Sequence, residues 1–127
     1  MDEVDLSGLR VLVVEDESLV AMLIDDVLGE LNCVVAGVAS NLKDGLDKAA
    51  TLAFDIAILD VNLNGTAAYP IAELLTARGA PFVFSTGYGA VGVPEAFSAA
   101  PVLAKPFDEA RMRSALAAAW RGRSGTS

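Results

Sequence analysis

The feature that most limits what this chain can fold into is a repeated change of period. Short runs of apolar, often β-branched residues, most of them closed by a polar residue, alternate with stretches where apolar residues recur every three or four positions. A run apolar at every position suits a strand buried on both faces, whereas three-to-four spacing gives a helix one buried stripe. The runs at 10–14, 34–39, 54–59, 82–85 and 102–104 predict strands. After the first, Val20, Leu23, Ile24, Val27 and Leu31 predict an inward helical stripe, with Asp25, Asp26 and Glu30 on the solvated side. A second helix is expected over 41–50, with Ser40 or Asn41 as N-cap and Leu42, Leu46, Ala49 and Ala50 inward. A third, over 69–78, should stop at Gly79. Asp108 should cap a last helix whose Met112, Ala115, Leu116 and Ala119 or Trp120 are buried. Between Thr86 and Pro101, Gly87, Gly89, Gly92 and Pro94 leave room only for a short, mobile helix. Right-handed crossovers then predict a flavodoxin-like (βα)5 fold, a doubly wound five-stranded parallel sheet of order 2-1-3-4-5.

With 127 residues, 54% of them hydrophobic, the chain supports one core. The expected division is a flexible N-terminus at 1–8, a folded domain at 9–121 and a flexible tail at 122–127. A net charge of -8 argues against nucleic acid and anionic membrane surfaces as partners. No stretch approaches the roughly 20 uninterrupted apolar residues of a membrane span, and the acidic N-terminus lacks the blocks of a signal peptide. Cys33 is the sole cysteine and lies in an apolar run, which suits a core thiol in a reducing, cytoplasmic setting. The chain has no histidine, so histidine-based zinc sites and Ser-His triads are excluded, and any phosphohistidine must come from a partner.

In open α/β sheets ligands bind outside the carboxyl ends of the strands. There the sequence offers Glu15-Asp16 after the first strand, Asp60 after the third, Thr86 after the fourth and Lys105 after the fifth. Carboxylates with a hydroxyl and an ammonium suit a divalent cation and a phosphoryl group. Asp16 and Asp60 are expected as direct ligands of magnesium, with manganese as substitute, Glu15 holding a metal-bound water and the backbone carbonyl of Asn62 filling another position. Taken singly, each has a plainer reading. Glu15-Asp16 would also suit a helix cap near Ser18, and Asp60 and Thr86 would suit turns. Lys105 is harder to dismiss, because a lysine ending a buried strand calls for a counter-charge.

Together these residues resemble the receiver domain of bacterial two-component response regulators, across nearly the whole chain. The resemblance implies that Asp60 accepts a phosphoryl group from the phosphohistidine of a histidine kinase or histidine phosphotransfer protein, that Glu15 and Asp16 hold the metal, and that Thr86 and Lys105 contact the phosphoryl oxygens. It implies signalling through a downstream protein effector rather than enzymatic turnover, and a cis bond before Pro106. Residues 81–89, Pro-Phe-Val-Phe-Ser-Thr-Gly-Tyr-Gly, are similar to the Phe-x-Thr-Gly-Tyr signature of an atypical receiver subfamily. Two departures stand out. The Tyr or Phe usual three residues before the lysine is Val102, and the loop after Asp60 lacks the usual Met-Pro and carries Gly65 early. Tyr88 is therefore the candidate replacement for the missing switch ring, with half-buried packing as its plainer reading.

Gly87 to Gly92 matches the dinucleotide pattern G-x-G-x-x-G but follows the fourth strand rather than the first, so the match is read as chance. Two other functions compete. The segment 58–62 partly resembles the Asp-x-Asp motif of haloacid-dehalogenase-type phosphohydrolases, although Asn62 cannot serve as the second acid. A receiver-like binding module regulated without phosphate is the third reading, and metal binding separates it from the first.

Overall fold

Alternation along the strands divides the core into two halves. The structure, a computed structural model, describes residues 5–87 and 93–122. Along the chain run β1 (Arg10–Val14), α1 (Ser18–Glu30), β2 (Val34–Ala39), α2 (Leu42–Thr51), β3 (Ile56–Asp60), β4 (Asn62–Leu63), β5 (Thr66–Ala67), α3 (Tyr69–Arg78) and β6 (Phe82–Thr86). A 3-10 turn (Glu95–Phe97), β7 (Val102–Ala104) and α4 (Glu109–Arg121) complete it. Val11, Val13, Ile56, Ile58, Val83 and Leu103 pack with α1 and α4 on one face. Leu12, Val14, Ala57, Leu59, Phe82 and Phe84 pack with α2 and α3 on the other. Burial on both sides explains why these strands read as unbroken apolar runs.

The main sheet has the order β2-β1-β3-β6-β7, every adjacent pair parallel. This is the expected doubly wound 2-1-3-4-5 arrangement, with β6 and β7 as its fourth and fifth strands. The crossover directions diverge between β1 and β3, which opens the crevice at their carboxyl ends. Helix ends follow local chemistry. Asn41 accepts from the Asp44 amide at 2.8 Å, Asp108 accepts from the Arg111 amide at 2.8 Å, and α3 stops at the left-handed Gly79. α1 begins after Glu17, whose side chain makes no cap, while the Glu15 carboxylate accepts from the Glu17 amide just ahead of the helix. Gly45 lets α2 approach α3 closely, since a Cβ there would come 2.5 Å from Ile71 Cδ1.

Several expectations need correction. Leu23 is 42% exposed while Leu28 is buried, because the stripe that meets the sheet is Ile24, Val27, Leu28 and Leu31. Apolar residues flank that stripe on both sides, so spacing alone does not choose its centre. Ala50 is exposed, and the third strand starts at Ile56 and includes Asp60. Leu6, inside the segment set apart as a flexible N-terminus, is buried against the α1 side of the core, and Gly8 donates to the Asn32 carbonyl at 2.8 Å. The packed unit thus begins before residue 9. Between β6 and β7 the described residues hold only the 3-10 turn, as the glycines and Pro94 suggest. Among the described residues, no helix is long and apolar enough to cross a membrane.

Candidate metal centre

Glu15 and Asp16 follow β1 directly, and Asp60 ends the adjacent β3. One carboxylate oxygen from each lies within 4.8 Å of the others. Glu15 and Asp60 are only 2% and 5% exposed, so two charged groups share one desolvated corner. Lys105, just past β7, reaches across β6 to meet them. Its Nζ lies 3.1 Å from Glu15 Oε1 and 3.3 Å from Asp60 Oδ2. The strand order places a lysine from the far edge over acids from the centre, which is the counter-charge its burial requires.

Backbone donors fix the acids further. The Asn62 amide donates to Asp60 Oδ1 at 3.1 Å, the Glu17 amide to Glu15 Oε2 at 3.2 Å, and the Asn64 amide to Asp16 Oδ2 at 2.9 Å. This last contact comes from a feature absent from the sequence reading, the antiparallel hairpin of β4 and β5. Asn64 and Gly65 form its two-residue turn with φ of 54° and 86°, and the Asn62 side chain accepts from the Gly65 amide at 2.6 Å. Asn-Gly is the preferred pair for such a turn, so the signal was present at residues 64–65.

Burial and the nearby Asp60 charge push the Glu15 carboxyl up to about 7. Desolvation raises Asp60 as well, against the Asn62 amide and Lys105, which pull it down. Burial opposes the Lys105 ammonium, but Asp60 and Glu15 outweigh it and raise its pKa. One ammonium thus serves two carboxylates and leaves negative charge incompletely neutralised. Glu15 Oε1, though close to Lys105, makes no hydrogen bond of good geometry. A buried, under-satisfied carboxylate oxygen beside two further carboxylates fits a hard divalent cation. The donor set is all oxygen, as magnesium requires.

Asp16, Asp60, Asn62, Thr86 and Lys105 line one cleft of about 630 Å³, whose wall also includes Tyr69. Thr86 ends β6 and is buried. The Lys105–Pro106 peptide bond is cis. Tyr88 lies outside the described residues. Tyr69 was not foreseen at the cleft, because sequence alone reads it as the first residue of an amphipathic helix.

The profile of the family described as "Response regulator receiver domain" matches residues 11–117. The solution structure of SdrG from Sphingomonas melonis Fr1 superposes with a TM-score of 0.79 at 41% identity, covering 87% of this chain and 95% of that one. The BeF3-activated conformation of SdrG from Pseudomonas melonis Fr1 gives a TM-score of 0.77, also at 41% identity, over 90% of this chain and 98% of that one. A protein-glutamate methylesterase/protein-glutamine glutaminase from Archaeoglobus fulgidus is 38% identical over 55 residues, 43% of this chain. This chain spans 16% of that protein's length.

Proposed function

Because the chain belongs to the response regulator receiver family of two-component signalling, we propose that Asp60 is its phosphoacceptor and that residues 9–121, with Leu6 packed beneath, act as a phosphorylation-controlled contact module. The observation that carries this reading is the convergence of Lys105 with Glu15 and Asp60, beside Asp16, at the carboxyl ends of strands far apart in sequence. Glu15, Asp16 and Asp60, with the Asn62 carbonyl, would hold magnesium or manganese. Such an ion neutralises charge on phosphoryl oxygens and keeps the carboxylates ionised.

In the proposed reaction an Asp60 oxygen attacks the phosphorus of a phosphohistidine carried by a kinase or phosphotransfer partner. The phosphorus–nitrogen bond breaks, its electron pair returns to the imidazole, and an acyl phosphate forms. Lys105 lies 3.3 Å from Asp60 Oδ2 and is in reach of a phosphoryl oxygen there, with the Thr86 hydroxyl on the same cleft. Helix α1, which starts at Ser18, two residues past Asp16, presents Leu19 and Met22, 79% and 62% exposed, together with Leu23. That apolar face is where we dock the histidine-bearing partner. In a cytoplasmic setting the output would be a contact with a downstream protein, with Tyr88 as the proposed switch residue, and with neither nucleic acid nor membrane engaged directly.

The module would react stoichiometrically, labelling itself from small phosphodonors and losing the group slowly. The phosphohydrolase alternative gains no support: Asn62 is amidic and its side chain is occupied in the hairpin turn. Incubation with acetyl phosphate and magnesium, followed by intact-mass measurement, tests the proposal. One added phosphoryl group in wild type and none in Asp60→Asn is expected. Continuous release of inorganic phosphate from the donor without a labelled protein would favour the hydrolase instead.

A further inference from the structure

Four aromatic rings connect the acidic cleft to the turn that follows β6. Tyr69 lines the cleft together with Asp60, Thr86 and Lys105. Its ring stacks on Phe97 of the 3-10 turn, with centroids 5.8 Å apart and planes 25° apart, and meets Phe84 of β6 edge-on at 6.2 Å. Phe97 in turn contacts Phe84 at 5.9 Å and Phe82 at 6.4 Å, so its ring joins the turn to the sheet. Val102 stands beside Phe84 in the strand register and belongs to the same cluster, contributing only a small side chain.

Tyr69 is also tied to the acceptor residue through the backbone. The Ala68 amide donates to the Val61 carbonyl at 2.9 Å, closing the hairpin between Asp60 and α3. Asp60 and Tyr69 are each one residue from that hydrogen bond. A short, closed loop therefore links Asp60 to Tyr69, and both residues line the same cleft. At the far side of the ring lies an element with little else to hold it, a single turn between Pro94 and Ser98. Its backbone bonds are all local, Phe97 to Pro94, Ser98 to Glu95 and Ala100 to Phe97, and beside the packing of Val93 and Ala100 the ring of Phe97 is its main contact with the sheet.

We infer that Tyr69 is a positioning residue of the phosphoryl site, whose stacked partner Phe97 carries a change in cleft occupancy to the turn between β6 and β7. This rests on the phosphoacceptor reading of Asp60. A group bound on Asp60 displaces or clamps the Tyr69 ring, and the stack moves the Phe97 turn, altering the surface it offers a partner. An offset stack held on one side by a packed strand has few alternative arrangements, so a small displacement becomes a change of packing rather than a gradual drift.

Amide chemical shifts recorded with and without beryllofluoride and magnesium test the inference on the full chain. Wild type is expected to respond both at the cleft, at Asn62, Thr86 and Lys105, and at the turn, at Ala96, Phe97 and Ser98. Tyr69→Leu should keep the cleft response and lose the turn response, Phe97→Leu should show the same split, and Tyr69→Phe, which preserves the ring, should keep both. Turn shifts that persist at wild-type size in Tyr69→Leu or Phe97→Leu would overturn the coupling, as would a response lost only in a Tyr88 variant. A wild type silent at the cleft would overturn the phosphoacceptor reading itself, which separates the two failures.

Discussion

The loops on either side of β6 are built in opposite ways. After β3 the chain is closed at once by the β4–β5 hairpin, whose Asn62 and Asn64 amides hold Asp60 and Asp16 and whose end runs into the ten-residue helix α3. After β6 the described chain offers a three-residue 3-10 turn held by the ring of Phe97. Backbone hydrogen bonds fix a ligand set in place, whereas a turn joined to the sheet mainly by ring contacts has no such bonds to break when it shifts. The molecule thus separates a holding side from a responding side, with Lys105 crossing between them.

The sharpest way to break this division is to remove the crossing. Lys105→Met takes away the only ammonium that neutralises Glu15 and Asp60 among the described residues, and it also removes a cation that competes with a metal. Magnesium affinity, measured by isothermal titration, should rise by about tenfold or more, since one partial charge contact at the site is worth over 1 kcal/mol. Labelling by acetyl phosphate should fall in the same variant. Tighter metal binding with unimpaired labelling would show that Lys105 belongs to the holding side alone.

A second test uses protons. The Glu15 carboxyl is raised from 4.5 to about 7, so the metal-free fold binds a proton that the unfolded chain has released. Its stabilising effect is complete below pH 4.5 and is lost as pH rises through about 7, so metal-free stability should decline across that window. A metal competes for the same site, and its affinity should weaken by up to about tenfold per pH unit as pH falls below 7. Glu15→Gln should flatten both profiles in denaturation and titration experiments. A metal-free stability that climbs between pH 5 and 7 in wild type alone would contradict the assigned burial of Glu15.

Smaller effects sharpen the holding side. Gly65→Ala forces a side chain onto a φ of 86° and should lower stability by about 1 kcal/mol in urea denaturation. Magnesium affinity should drop a few-fold with it, because the Asn64 amide then no longer holds Asp16. An unchanged affinity would mean that the hairpin supports the fold without supporting the site. Smallest of all should be Arg10→Ala, which removes an exposed ion pair with Asp55 at 3.2 Å and should leave affinity and labelling unchanged.

Where the sequence was legible follows the same division. The strands, their order and the residues at their carboxyl ends could be read because unbroken apolar runs have one stable use in a doubly wound sheet. Lys105 was legible because a buried lysine demands a counter-charge. The hairpin was only half legible: Asn64-Gly65 suits its turn, but strands of two residues each carry no apolar pattern to mark them. Leu23 and Leu28 were exchanged because α1 is apolar beyond one stripe. Tyr69 was not legible as a cleft residue at all, because its place there depends on the hairpin bringing the start of α3 back beside Asp60.

The most direct test of the central claim is to load the protein from a phosphodonor in magnesium, digest it and locate the label by peptide mass spectrometry. A single phosphoryl group on the peptide carrying Asp60, absent when the metal is chelated, is the expected result. A label on Asp16, Thr86 or any other residue, with Asp60 unmodified, would contradict it.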